Sequence, residues 1–125
     1  MNAILRAQNA YGLSNQSVRT ARGTEYDAVA RITQKLKSTA ERTPVNMAAL
    51  AGAVSENREL WTLFAAQVAD NDNPLPKELR ATIFYLFEFT TQHSRKILAR
   101  EASVDPLIEI NTAIMRGLRD GGGAK

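Results

Sequence analysis

MAALAGAVSENRELWTLFAAQV, residues 47–68, decides how this chain folds. Met47, Leu50, Val54, Asn57, Trp61, Phe64 and Val68 recur three and four residues apart, which stacks them on one face of a single helix. All but Asn57 are apolar, and Trp61 is the only tryptophan in the chain. An apolar seam of this length needs partner helices, and a polar side chain inside it needs a hydrogen-bond partner. The stretch predicts a helical bundle, with binding rather than chemistry as its business.

On the N-terminal side, Thr43-Pro44 separates this seam helix, expected from about Val45 to Val68, from a preceding one, because proline restrains the residue before it. Val29, Ile32 and Leu36, with Tyr26 added, form the apolar stripe of that preceding helix. Gly23-Thr24 marks its start, with Thr24 as N-cap and Asp27 three positions on. Asp27 and Arg31 make a favourable pair one turn apart. Gly12 to Gln16 reads as a break, and Asn2 to Leu13 as a short helix with Ile4, Ala7 and Tyr11 on one face. A helix that short persists in water only when it docks.

On the C-terminal side, Asp70-Asn71-Asp72-Asn73-Pro74-Leu75-Pro76 is the strongest turn signal in the chain. Pro76 also suits the first position of the next helix. The aromatics of Ile83 to Phe89 suit a strand, but no breaker interrupts Lys77 to Ala102, and that length favours a helix. Its stripe is Leu79, Ile83, Leu86, Thr90, His93 and Ile97, widened by Phe84 and Phe87 to reach two neighbours. Asp105 and Pro106 open the last helix as N-cap and first residue. Leu107, Ile110, Ile114 and Leu118 line one face of it, with Ile108, Asn111 and Met115 beside them. Gly121-Gly122-Gly123 ends ordered structure. The expectation is an all-α, single-domain bundle of four main helices plus a short N-terminal helix over residues 1–120, then a flexible tail over 121–125.

The 125 residues suffice for one core, and 44% hydrophobic with 23% charged residues is ordinary for a globular domain. There is no cysteine, which excludes disulfides and thiolate metal sites and fits a reducing compartment. The N-terminus lacks a sustained apolar segment of the secretory kind, and no apolar run approaches the ~20 residues that span a bilayer. The net charge of +3 is unevenly spread. Through Arg42 there are seven basic and three acidic residues, and from Thr43 to Leu75 one basic and four acidic. That asymmetry reads first as solvated helix faces that differ, and secondly as a field that steers a charged partner.

The parts for catalysis are missing. His93 is the only histidine, and a Ser94–His93 pair points its side chains about 100° apart on a helix, with no orienting acid or oxyanion site in view. Glu56 and Glu59 are two carboxylates without further ligands nearby in sequence, a poor cation site. There is no glycine-rich phosphate loop. Arg95, Lys96 and Arg100 complement the dipole of their helix end. They are also the residues that would contact phosphates, but no aromatics interleave them. No enzyme activity, metal or cofactor is expected, and nucleic acid is not expected as a direct partner.

Asn57 is read as a hydrogen-bonding residue that fixes register across the bundle. For Asn111 that structural role and contact with a partner's backbone from a groove both stand. Trp61 and Phe64 read as core; an exposed Trp61 would instead be a binding hot spot.

Asn9-Ala10-Tyr11, Asn57-Arg58-Glu59-Leu60-Trp61, Asn73-Pro74-Leu75-Pro76-Lys77-Glu78-Leu79-Arg80, Leu107-Ile108-Glu109-Ile110-Asn111 and Met115-Arg116-Gly117-Leu118 follow one another in this order. Order and spacing resemble the FlaF family of flagellar biosynthesis regulators from alphaproteobacteria over nearly the whole chain. The resemblance implies a cytoplasmic, non-catalytic protein that acts as a flagellin secretion chaperone and regulator of flagellin synthesis. It implies flagellin and FlbT, a second regulator, as partners. The alternatives are a regulatory adaptor that works through FlbT, and direct binding of the flagellin transcript.

A chaperone of this kind holds an amphipathic helix of flagellin in a groove between its own helices. The residues expected at such a groove are Leu60, Leu63, Leu75, Leu79 and Arg80 beside the seam. Ile4 and Tyr11 are expected on an N-terminal lid over it. Oligomeric state, the flagellin segment bound and the stoichiometry are not legible in the sequence.

Overall fold

The computed structural model describes residues 15–119, with side chains from 25 to 117. Among the described residues there are four helices and no strand: α1 (Asn15–Glu41), α2 (Met47–Ala69), α3 (Lys77–Leu98) and α4 (Asp105–Arg119). The expected short N-terminal helix and the C-terminal tail lie outside the described residues.

The α2 boundaries follow from local chemistry. The Asn46 side chain accepts from the Ala49 amide at 3.0 Å, satisfying one of the free donors of the first turn. At the other end Asp70 leaves helical geometry, and the corner folds on its own side chains. Asp70 Oδ1 accepts from the Asp72 amide (2.9 Å), Asn73 Oδ1 accepts from the Leu75 amide (3.0 Å), and Asn73 Nδ2 donates to the Gln67 carbonyl (2.9 Å).

Five boundaries differ from the sequence reading. α2 begins at Met47 behind the Asn46 cap rather than near Val45, and Pro76 caps α3 instead of filling its first position. α1 begins at Asn15 and runs through Gly23 and Thr24, so Thr24 is not its N-cap and Gly12–Gln16 is not wholly a break. No proline lies between Asn15 and Glu41, and one interior glycine costs only about 1 kcal/mol, less than starting a second helix. α3 stops at Leu98 rather than Ala102. Arg100 takes a left-handed conformation (φ 63°), its amide donates to the Ile97 carbonyl (2.9 Å), and the Glu101 amide donates to the Lys96 carbonyl (2.8 Å). This is a Schellman stop made without glycine. For α4, the Val104 carbonyl accepts the first helical bond, from Ile108 (3.1 Å). That puts the cap one residue before Asp105 and leaves the Asp105 carboxylate in the first turn, where the helix dipole favours it.

The core has two apolar layers. One holds Leu36, Leu50, Ala53, Val54, Ile97, Val104 and Leu107, drawing on all four helices. The other holds Val29, Ile32 and Leu60, with Phe64, Ile114 and Met115 against them, and takes nothing from α3. Leu50 shares a layer with Ile97, while Val68 lines a groove with Arg80 and Phe84, so α2 and α3 run antiparallel. The same logic makes α1 antiparallel to α2 and α4, an up-down-up-down bundle. α3 lies along α2 but barely touches α4. Its buried residues are Thr90, Ser94 and Ile97, and none of residues 77–89 is buried. The bundle is therefore four helices thick at one end and three at the other, with the first half of α3 resting on the outside of α2.

Candidate partner-binding surface

Between the two apolar layers lies a polar one. Trp61 Nε1 donates to Asn111 Oδ1 (2.9 Å), and Asn111 Nδ2 donates to both Asn57 Oδ1 (2.8 Å) and Thr33 Oγ1 (3.1 Å). All four residues are buried. The orientation of each amide follows from one fact: an indole nitrogen only donates. Asn111 must present its oxygen to Trp61, so its nitrogen serves Asn57 and Thr33. Asn57 must then present its oxygen, which leaves Asn57 Nδ2 buried without a protein partner. Thr33 is free to accept because its own hydroxyl proton goes to the Val29 carbonyl at 2.6 Å. The network ties α1, α2 and α4 at a single level. Neither Asn57 nor Asn111 is open to a partner.

The seam positions Leu50, Val54, Trp61 and Val68 are buried, and Phe64 packs edge-on against Trp61 with ring centroids 5.3 Å apart. The residues expected beside the seam scatter. Leu60 is 8% exposed and packs with Val29 and Ile32. That corrects its placement at a groove lip: three residues after Asn57 and four before Phe64, it lies at the edge of the seam face itself and turns toward α1 rather than outward. Leu63 is half-buried on the outer side of α2, in a depression of about 460 Å³ with Arg58, Glu59 and Thr62. Leu75 is half-buried in the corner, and Leu79 is 41% exposed at the start of α3. Ile4 and Tyr11, and with them the expected lid, lie outside the described residues.

Arg80, like Leu63, is an expected residue that lines a concave surface, and its groove lies between two helices. With Val68 and Ala69 of α2 and Lys77, Ala81, Phe84, Tyr85 and Glu88 of α3 it lines a concave surface of about 430 Å³. Its Nη1 reaches the Asp70 carbonyl at 3.4 Å, and its Nε is buried with no partner. Phe84 is 41% and Tyr85 63% exposed. Phe84 therefore does not widen the core stripe, because α3 meets the bundle interior only from Thr90 onward. The sequence did carry a signal for this face. Residues 77, 80, 81, 84, 85 and 88 repeat at helical spacing, and the apolar ones among them form a second stripe distinct from the one through Ile97.

The side chains weighed for catalysis or cation binding make contacts within the fold. His93 Nε2 donates to the Ser103 carbonyl (2.8 Å) and its ring stacks on Phe89, while the Ser94 hydroxyl turns back to the Thr90 carbonyl (2.7 Å). Arg31 does not pair with Asp27; it and Lys35 both reach Glu56, at 3.3 and 2.9 Å. The Lys35 hydrogen bond, helped by the Lys35 charge and by Arg31, holds the Glu56 carboxyl below its ordinary value against the opposing effect of burial. Among the described residues no group of three or more acidic or histidine side chains is placed to hold a metal ion, and no helix is long and apolar enough to cross a membrane.

What this defines is a small helical-bundle protein with a polar-locked core and an apolar strip turned outward on a helix packed along α2 alone for its first half. The chain belongs to the FlaF family of flagellar proteins: the family model, Flagellar protein FlaF, matches residues 7–118. No curated protein and no solved structure matches it.

Proposed function

We propose that this FlaF-family protein is a cytoplasmic flagellin-binding secretion chaperone that also regulates flagellin synthesis, without catalysis or cofactor. The observation that carries the reading is the first half of α3. Phe84 and Tyr85 stand exposed on one face, with Leu79 exposed on another, of a helix that the bundle needs only from Thr90 onward. An apolar strip with no role in the core is a cost in solubility that a masked partner surface explains. Flagellin polymerises through helical terminal segments, and laying the apolar face of one against such a strip withholds it from assembly until export. A FlbT-type regulator is the second partner, through which flagellin expression is adjusted.

The test is capture of purified flagellin by the purified protein, with and without the FlbT-type regulator. Direct association at micromolar concentration supports the chaperone reading. Association that appears only with the regulator present replaces it with the adaptor reading. Association with flagellin transcript that falls steeply with salt and disappears when Arg95, Lys96 and Arg100 are reversed would replace both.

A further inference from the structure

Resting on the flagellin reading, we infer that the groove between the end of α2 and the start of α3 receives an amphipathic helix that brings a carboxylate to Arg80. The groove has a length, a floor and a polarity. Its α3 wall runs from Lys77 to Glu88. Eleven residues of rise give about 16 Å, or three helical turns. Val68 and Phe84 make an apolar floor, and the exposed ring of Tyr85 stands at its side. A partner helix with apolar residues at i, i+3 or i+4, and i+7 presents one side chain per turn to that length.

Charge fixes which way the occupant carries its polar residues. Lys77 and Arg80 mark one end and Glu88 the other. Arg80 is the more demanding cation. Its Nη1 has only a 3.4 Å contact to the Asp70 carbonyl, and its Nε is buried without an acceptor although the residue as a whole is half-exposed. A guanidinium at the margin of an apolar groove whose terminal nitrogens make only one long contact matches a carboxylate that those nitrogens can meet. The occupant is thus an amphipathic helix with Asp or Glu toward the Lys77–Arg80 end and a basic or neutral residue toward Glu88. A second copy packed antiparallel also brings a Lys77–Arg80 end against a Glu88 end, so self-association is the competing outcome that the crosslink separates from flagellin binding.

The experiment uses the full chain and purified flagellin. A benzophenone amino acid at position 85 maps the contact, and titrations compare Arg80→Glu, Arg80→Lys and a distant charge reversal, Arg116→Glu on α4. Expected is a crosslink to a flagellin segment that is amphipathic over about three turns and carries an acidic residue. Arg80→Glu should lower affinity roughly 30-fold or more and Arg80→Lys several-fold, with Arg116→Glu within twofold, as for a bidentate charge pair against a remote charge. Circular dichroism checks that Arg80→Glu remains folded; if it does not, Tyr85→Ser, on the most exposed ring, takes its place and should lower affinity about tenfold. Flagellin binding that persists unchanged in these variants, or crosslinks elsewhere, overturns the groove while leaving the chaperone reading standing. A crosslink between two copies in the absence of flagellin overturns it in favour of self-association. Absence of any flagellin binding by the unaltered chain removes the chaperone reading and the groove with it.

Discussion

Replacing Asn111 with alanine should be among the most damaging single changes available to this protein. The side chain is fully buried and joins three others: it accepts from Trp61 and donates to Asn57 and Thr33. Its loss leaves the Trp61 indole N–H and the Asn57 oxygen without partners in an interior closed to water. Asn57 Nδ2 is already unpartnered, so the whole Asn57 amide is stranded. Two newly orphaned groups at about 1–3 kcal/mol each, plus a small cavity, give a loss of roughly 3–5 kcal/mol. Against a total of about 5–15 kcal/mol that is a large share. It corresponds to a drop in Tm of about 10–20 °C for a domain of this size.

Urea unfolding followed by the emission of Trp61, the only tryptophan, reads the effect directly. Thr33→Val is the matched control. It removes one acceptor but leaves Asn111 Nδ2 bonded to Asn57 Oδ1, and should cost about 1 kcal/mol. In a Trp61→Phe background, followed by circular dichroism, Asn111→Ala should cost about 1–2 kcal/mol less than in the unaltered chain, because the orphaned indole is gone. A cost for Asn111→Ala under about 1 kcal/mol with unchanged denaturant slope, or no coupling to Trp61, would refute the network as an energetic unit.

Arg100→Gly should raise stability by about 0.5–1 kcal/mol, because the left-handed strain at φ 63° is relieved and only partly offset by unfolded-state freedom; urea midpoints measure it. Asn46→Ala should lower stability by about 1 kcal/mol in the same assay through loss of the α2 cap. Glu56 has a folded pKa below its unfolded value, so its ion pairs with Lys35 and Arg31 contribute at neutral pH and fade as pH falls through the carboxylate range. The pair is exposed, so Glu56→Gln should change stability by less than about 1 kcal/mol at pH 7, and by nothing at pH 3 or in high salt; thermal melts at the two pH values check it.

The seam was legible from its spacing because a 3.6-residue period leaves few alternatives over twenty-two positions, and the Asp70–Pro76 corner because side-chain turns are local. FlaF membership was legible from five short segments in order, and the family match over residues 7–118 agrees with it. What local reading missed has a common cause. The end of α3 is a Schellman turn on an arginine, where the usual glycine signal is absent. The continuation of α1 past Gly23 depends on propagation from its neighbours rather than on the glycine itself. Leu60 and Phe84 were exchanged, one expected at a groove and found in the core, the other expected in the core and found at a groove. Periodicity says that a residue lies on a stripe; which neighbour covers the stripe is decided by how far α3 leans away from α4, a tertiary fact.

That lean has a consequence for how the molecule breathes. The half of α3 before Thr90 contributes nothing to either apolar layer, so its backbone bonds are guarded only by contact with α2. Amide protons of residues 80–89 should exchange with solvent through local opening, well below the free energy of global unfolding, while those near Ile97 wait for the whole bundle to come apart. Anything that binds across α2 and the start of α3 stabilises the closed state by mass action. Slowed exchange in this one stretch would then register occupancy of the surface, in a region where the empty protein is least protected.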